Sequence, residues 1–168
     1  LLLCCTQLGF SQKKLTQLWE SKEQLPTPES VLYDAGKSIL YVSLIDGDGV
    51  AKDGKGGVAI LNLDGSLKDA TWVQGLNAPK GLAMYKDLLY VADIDEVVVI
   101  DVITGNEINR VKIPDAQFLN DVTVDDNGKV YVSDTRTGEI YLIHNNKASL
   151  FMKDVKDVNG LRFIDGVL

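Results

Sequence analysis

The sequence predicts an all-β chain assembled from repeated four-stranded units, and three observations carry that expectation. Four segments, PESVLYDAGKSILYVSL, PKGLAMYKDLLYVAD, LNDVTVDDNGKVYVSD and VNGLRFIDGVL, align on the apolar anchors Val31, Leu82, Val122 and Leu161, which lie 51, 40 and 39 residues apart. Each unit alternates apolar and polar residues over short runs separated by Gly, Asn and Asp, the two-residue period of half-buried strands. No stretch after Gln12 sustains a helical period. A repeat near forty residues with four strands in each is the signature of a β-propeller, whose blades pack face to face around a central channel.

Residues 1–11, LLLCCTQLGFS, place small residues behind an apolar run, with Gly9 and Ser11 three and one residues before a cut preceding Gln12. This is the pattern of a secretory signal, here without its initiator Met. A lipid anchor on Cys4 or Cys5 is one alternative, although Leu3 or Cys4 precedes them where Gly, Ala or Ser is expected. A buried N-terminal strand is another. From Gln12 onward there is no cysteine, so disulfide and thiol chemistry are excluded there. Residues 14–21, KLTQLWES, resemble KASLFMK at 147–153 and read as a fourth strand that closes the ring onto the last blade.

The first blade spans 29–75 and carries an insertion, residues 45–57, between its second and third strands. The Asp spacing of that insertion fails the EF-hand pattern and its closing Glu is absent. It reads either as a rim element over the channel mouth, where Asp46, Asp48 or Lys52 meets substrate, or as a solvated loop. The second blade spans 79–114, with strands at 90–93, 97–101 and 108–113. The third spans 118–153, with strands at 122–124, 130–133, 139–143 and 148–152. A fourth begins at 157 and its second strand is due where the chain stops, so the chain is expected to be a fragment with exposed sheet edges and little stability of its own. Trp19 and Trp72 fall on fourth strands and read as packing residues. Asp93 and Asp134, closing YVAD and YVSD, read as turn-fixing hydrogen bonders, and His144 as a strand-end residue.

A chain with 45% apolar and 24% charged residues can bury a core. Its net charge of -7 repels nucleic acid and anionic membrane surfaces but welcomes a cation. The absence of any run of 18 apolar residues argues against a membrane-spanning helix.

Two residues before the anchors stand Glu29, Lys80, Asn120 and Asn159. The lead-in to the innermost strand of a blade lies at one mouth of the channel, so one column of the repeat becomes one ring of side chains about the axis. Three of these four offer the oxygen donors that a hard cation such as Ca2+ takes. An Asn before Asp or Gly also caps turns between strands, and for either Asn alone that reading stands beside the metal one.

On these residues the chain resembles the senescence marker protein/gluconolactonase/luciferin-regenerating family, six-bladed propellers of the calcium-dependent phosphotriesterase-like type. Pro28-Glu29-Ser30, Leu119-Asn120-Asp121 and Val158-Asn159-Gly160-Leu161 match, in order and spacing, three motifs through which that family holds a divalent cation in the channel. The resemblance implies about four of six blades and a metal held by Glu29, Asn120, Asn159 and an Asp beyond Leu168 that serves as base or nucleophile. It also implies a metal-dependent lactone or ester hydrolase acting on a small molecule, periplasmic or secreted, monomeric when full length. Calcium is the expected metal because no soft ligand is at hand. Two residues depart from the pattern. Lys80 brings a positive charge into the ligand column and either points outward or holds an acidic substrate. Phe118 stands where sugar lactonases carry an Arg that contacts substrate, which weakens a sugar acid lactone as the substrate. The rival reading is a non-catalytic, NHL-like propeller that binds a protein or glycan partner.

Overall fold

A computed structural model of the chain describes residues 15–22 and 25–168. The expected signal segment at 1–11, with Cys4 and Cys5, lies outside the described residues, as does Lys14. Three four-stranded antiparallel sheets follow one another along the chain. The first holds β1 (Pro28–Asp34), β2 (Ile39–Leu44), β3 (Gly56–Asn62) and β4 (Leu67–Leu76). The second holds β5 (Pro79–Tyr85), β6 (Leu88–Asp93), β7 (Glu96–Asp101) and β8 (Glu107–Lys112). The third holds β9 (Leu119–Val124), β10 (Val130–Asp134), β11 (Glu139–His144) and β12 (Lys147–Met152). Within each sheet the spatial order is the chain order, because Asp, Asn and Gly turns connect neighbouring strands. In the β9–β10 turn, Asp125 accepts hydrogen bonds from the backbone N–H groups of Asn127 and Lys129 while Gly128 takes a φ of 81°.

These sheets are three blades of a β-propeller. Their first strands, β1, β5 and β9, lie side by side and line a cavity of about 440 Å³. The middle strands are apolar on both faces because each blade is covered by the next. One core joins Ile39, Tyr41, Val58 and Ile60 of the first blade to Leu82, Leu89, Val91, Val98 and Ile100 of the second. Another joins Ala92, Val97 and Val111 of the second to Leu119, Val122, Val130, Val132 and Tyr141 of the third. Fully burying each Val, Leu or Ile contributes about 1.5–3 kcal/mol, and the two interfaces fix the angular positions of the first strands.

Residues 15–22, expected to belong to a closing strand, carry no strand. Trp19 instead lays its ring against Gly65 in the β3–β4 turn, where any side chain would collide with it. A strand requires a neighbouring edge for its N–H and C=O groups, and the last-blade partner expected for this one is not among the described residues. The fourth repeat, from 157, contributes an isolated Ile164–Val167 bridge and packs Val158, Leu161 and Phe163 against Tyr131 and Ile140 of the third blade. There is no helix long and apolar enough to cross a membrane among the described residues.

Candidate metal centre

In each blade the pairing of the first two strands breaks register at the ring position. The ladder skips from Pro28 to Val31 in β1 and from Pro79 to Leu82 in β5, and the β9–β10 pairing is irregular between its Leu119 and Val122 contacts. Glu29, Lys80 and Asn120 therefore sit in bulges, which bend a strand and re-aim a side chain. Asn120 lies within β9, which begins at Leu119, ahead of the expected 122–124 strand.

Glu29, Asn120 and Asn159 line one cavity of about 200 Å³, together with Ser30, Gly81 and Asp121. Gly81 makes this convergence possible. A Cβ there would lie 2.6 Å from the Cα of Asp121 and 2.9 Å from the carbonyl oxygen of Asn120, and backbone cannot yield to it. Asn120 is only 7% exposed. Among the described residues the side chains of Glu29, Asn120 and Asn159 make no hydrogen bond of their own, although Glu29 feels the charge of Lys80. Three uncommitted oxygen donors thus face one space.

Burial raises the Glu29 carboxyl above its ordinary value; Lys80 opposes the rise and the Asp121 charge adds to it. Burial also raises Asp121, against the hydrogen bonds donated by the Leu161 and Val122 amides at 2.6 and 2.9 Å. The cavity therefore concentrates negative charge where water does not fully solvate it, the condition a bound cation relieves. No group of three or more His, Cys, Asp or Glu side chains suited to a metal occurs among the described residues. The donors here are two carboxyls and two amides, a set of hard oxygens.

Asn159 is positioned from the third blade. Ser133, fully buried in β10, donates to the Asn159 carbonyl at 2.7 Å and accepts from the Asp121 amide at 3.0 Å. Thr135 donates to the Val158 carbonyl at 2.7 Å, and the Phe163 amide donates to Thr123 at 3.1 Å. In the first blade Ser43 accepts from the amide of Ser30, next to Glu29, at 3.0 Å. The second blade, whose ring residue is Lys80, has Ala92 at that place. Asp121 and these serines escaped the sequence reading. The signal was present as the serine of YVSL and YVSD against the alanine of YVAD.

Lys80 does not point outward. It is 2% exposed, and its ammonium donates to the carbonyls of Ala78 and Gly49 at 2.8 and 2.9 Å. It also lies 4.5 Å from the centroid of the Phe118 ring. Burial lowers its pKa, with Asp93 and Glu29 pulling the other way. Gly49 belongs to the 45–57 insertion, and Lys52 of the same segment pairs with Asp95 at 2.7 Å in the β6–β7 turn. The insertion thus packs against the second blade beside its ring residue, while Asp48 itself is exposed and accepts from the Val50 amide at 3.0 Å. Asp93 accepts from the Asn77 and Ala78 amides, and Asp134 from the Gln117 and Phe118 amides. Each holds the backbone just before its own ring position.

Solved structures share this architecture. A gluconolactonase from Xanthomonas campestris superposes with a TM-score of 0.65 over 93% of this chain and 57% of that one, at 17% identity. The chain has a β-propeller fold. It is also similar to hydrazine synthase from Kuenenia stuttgartiensis, with a TM-score of 0.58, 19% identity and coverage of 84% and 38%. A chain of the nidogen/laminin complex gives a TM-score of 0.56, 18% identity and coverage of 71% and 43%. Likeness at these identities concerns the fold alone, and the chain spans 38% to 57% of those structures' lengths. No family model and no curated protein matches the sequence.

Proposed function

We propose that the chain belongs to a gluconolactonase-like propeller hydrolase of the senescence marker protein/gluconolactonase/luciferin-regenerating family, acting on a small lactone or ester outside the cytoplasm. Glu29, Asn120 and Asn159 would hold Ca2+ at the channel mouth, with an Asp from a later blade as fourth ligand and as base or nucleophile. The observation that carries this reading is the convergence of those three side chains, each with an uncommitted oxygen, on one cavity. When bound, the cation supplies Lewis-acid polarisation of the substrate carbonyl. The Glu29 carboxylate provides the charge that attracts it, and the two amides add donors without adding repulsion. Lys80, fixed on the Gly49 and Ala78 carbonyls, offsets part of the Glu29 charge without filling the cavity. Gly81 and Ser133 keep the neighbouring strands at the separation the ring requires.

The test compares the full-length protein with Asn120→Ala and Asn159→Ala for bound calcium and for lactonase turnover. Each substitution should weaken calcium binding ten-fold or more, about 1.4 kcal/mol, and depress turnover with it. Retained metal and unchanged turnover would sink the assignment. The likeness to a chain of the nidogen/laminin complex supports a second reading, a non-catalytic module that binds a protein or glycan. It predicts indifference to chelators.

A further inference from the structure

We infer that Arg136 is the specificity-determining residue of this site and that the substrate carries a carboxylate. The inference rests on the proposed hydrolytic site and names the class of molecule it takes. Beside Phe118, two residues before Asn120, stands a cation that no acid among the described residues pairs. Arg136 lies in the β10–β11 turn, two residues past the end of β10, and its guanidinium carbon stands 5.4 Å from the centroid of the Phe118 ring. Phe118 is two residues from Asn120. Among the described residues Arg136 has no ion pair and no side-chain hydrogen bond, and it is exposed. Asp154 and Asp157 border a cavity of about 350 Å³ with it, yet neither pairs with it.

The placement is built rather than incidental. The fully buried Asp134 carboxylate accepts from the Phe118 amide at 3.1 Å through one oxygen and from the Arg136 amide at 2.9 Å through the other. The Thr135 amide donates to the Phe118 carbonyl at 3.1 Å. One buried acid therefore ties the backbone at Phe118 to the backbone at Arg136, which sets the two side chains within reach of each other. An arginine stacked on an aromatic face keeps its planar fork of donors available, and that fork matches a carboxylate in two parallel hydrogen bonds.

The other blades sharpen the contrast. The positions equivalent to Arg136, two residues after β2 and β6, hold Asp46 and Asp95, and Asp95 is already paired with Lys52. Lys80, 4.5 Å from the Phe118 ring centroid, is buried and committed to two carbonyls. In a chain of net charge -7, Arg136 stands against Phe118 with donors that face no protein acceptor among the described residues, and a ligand carboxylate would supply that acceptor. The Phe118 ring contributes an apolar contact for the carbon skeleton between that carboxylate and the scissile ester.

Two readouts on calcium-loaded full-length protein test this. The first follows the Arg136 side-chain Nε–H resonance during titration with glutarate or with glutaramide. Glutarate alone should shift it, and no shift with glutarate would overturn the inference. The second compares hydrolysis of 4-nitrophenyl hydrogen glutarate with that of its methyl ester. Arg136→Ala should lower the acid-to-ester ratio of kcat/KM about ten-fold or more, chiefly through KM, as expected for loss of a hydrogen bond to a charged group. Arg136→Lys should restore part of it. An unchanged ratio refutes the role of Arg136 while leaving the hydrolase intact. A glutarate-dependent shift without hydrolysis of either ester supports the carboxylate site and refutes the hydrolase.

Discussion

Glu29 holds an anionic oxygen where the protein alone disfavours charge. Its carboxyl is raised above its ordinary 4.5 by burial and by Asp121, and Asp121 is itself raised above 3.8. A raised folded pKa contributes stability that is complete below the unfolded pKa and is lost as pH climbs through the folded one. Metal-free protein should therefore lose stability from about pH 4 toward neutrality on account of this pair. Calcium should add most to the melting temperature over the same rise, because only the ionised carboxyls bind it. Glu29→Gln removes the cost and the ligand together. Melted at pH 7 in chelator, this variant should be at least as stable as the parent; melted in calcium, it should gain far less. Equal calcium increments in parent and variant would show that Glu29 does not touch the metal. Charge held against burial costs stability, as expected of a site arranged for a ligand rather than for folding.

The first strands explain both what the sequence made legible and what it hid. Apolar alternation and turn residues located the strands of the second and third blades, because two-residue periodicity and Asp-Asn-Gly turns are local properties. The ring of Glu29, Asn120 and Asn159 was legible because a propeller turns one repeat column into one circle of side chains. The fate of Lys80 was not, since its acceptors come from the distant 45–57 insertion and from the carbonyl of Ala78. Arg136 was equally hidden, because only the folded Asp134 brings it to Phe118. The serine of β10 belongs with these. Ser133 ties the Asp121 amide to the Asn159 carbonyl, linking two ring positions across blades. Ser133→Ala leaves a half-buried Asp121 amide and the Asn159 carbonyl without this partner, which costs about 0.5–1.5 kcal/mol. Calcium affinity should fall several-fold in the same variant. Ala92→Ser, next to no oxygen ligand, should leave calcium affinity unchanged, so a titration of both variants separates positioning of the ring from mere loss of packing.

Blade order sets how protection is distributed over the molecule. The second blade is covered on both faces, by the first blade through Leu89, Val91, Val98 and Ile100 and by the third through Ala92, Val97 and Val111. At the third blade, by contrast, Leu150 of β12 is 52% exposed and Phe151 45%. Val31 and Tyr33 of β1 are 61% and 54% exposed to the channel. In a structure whose repeats touch only their neighbours, local opening follows the number of covered faces. Hydrogen exchange in this 168-residue chain should therefore be slowest in β6 and β7, intermediate in β2, β3, β10 and β11, and fastest in β12. Substitution separates the same layers. Leu89→Ala empties a fully buried position and should cost about 2–5 kcal/mol, whereas Leu150→Ala should cost no more than about 0.5 kcal/mol. If β12 proved as protected as β6, the outer face of the third blade would have to be covered in solution. Since β12 carries Leu150, Phe151 and Met152 in succession, the covering surface would have to be apolar, and its removal should return β12 to the fast-exchanging class.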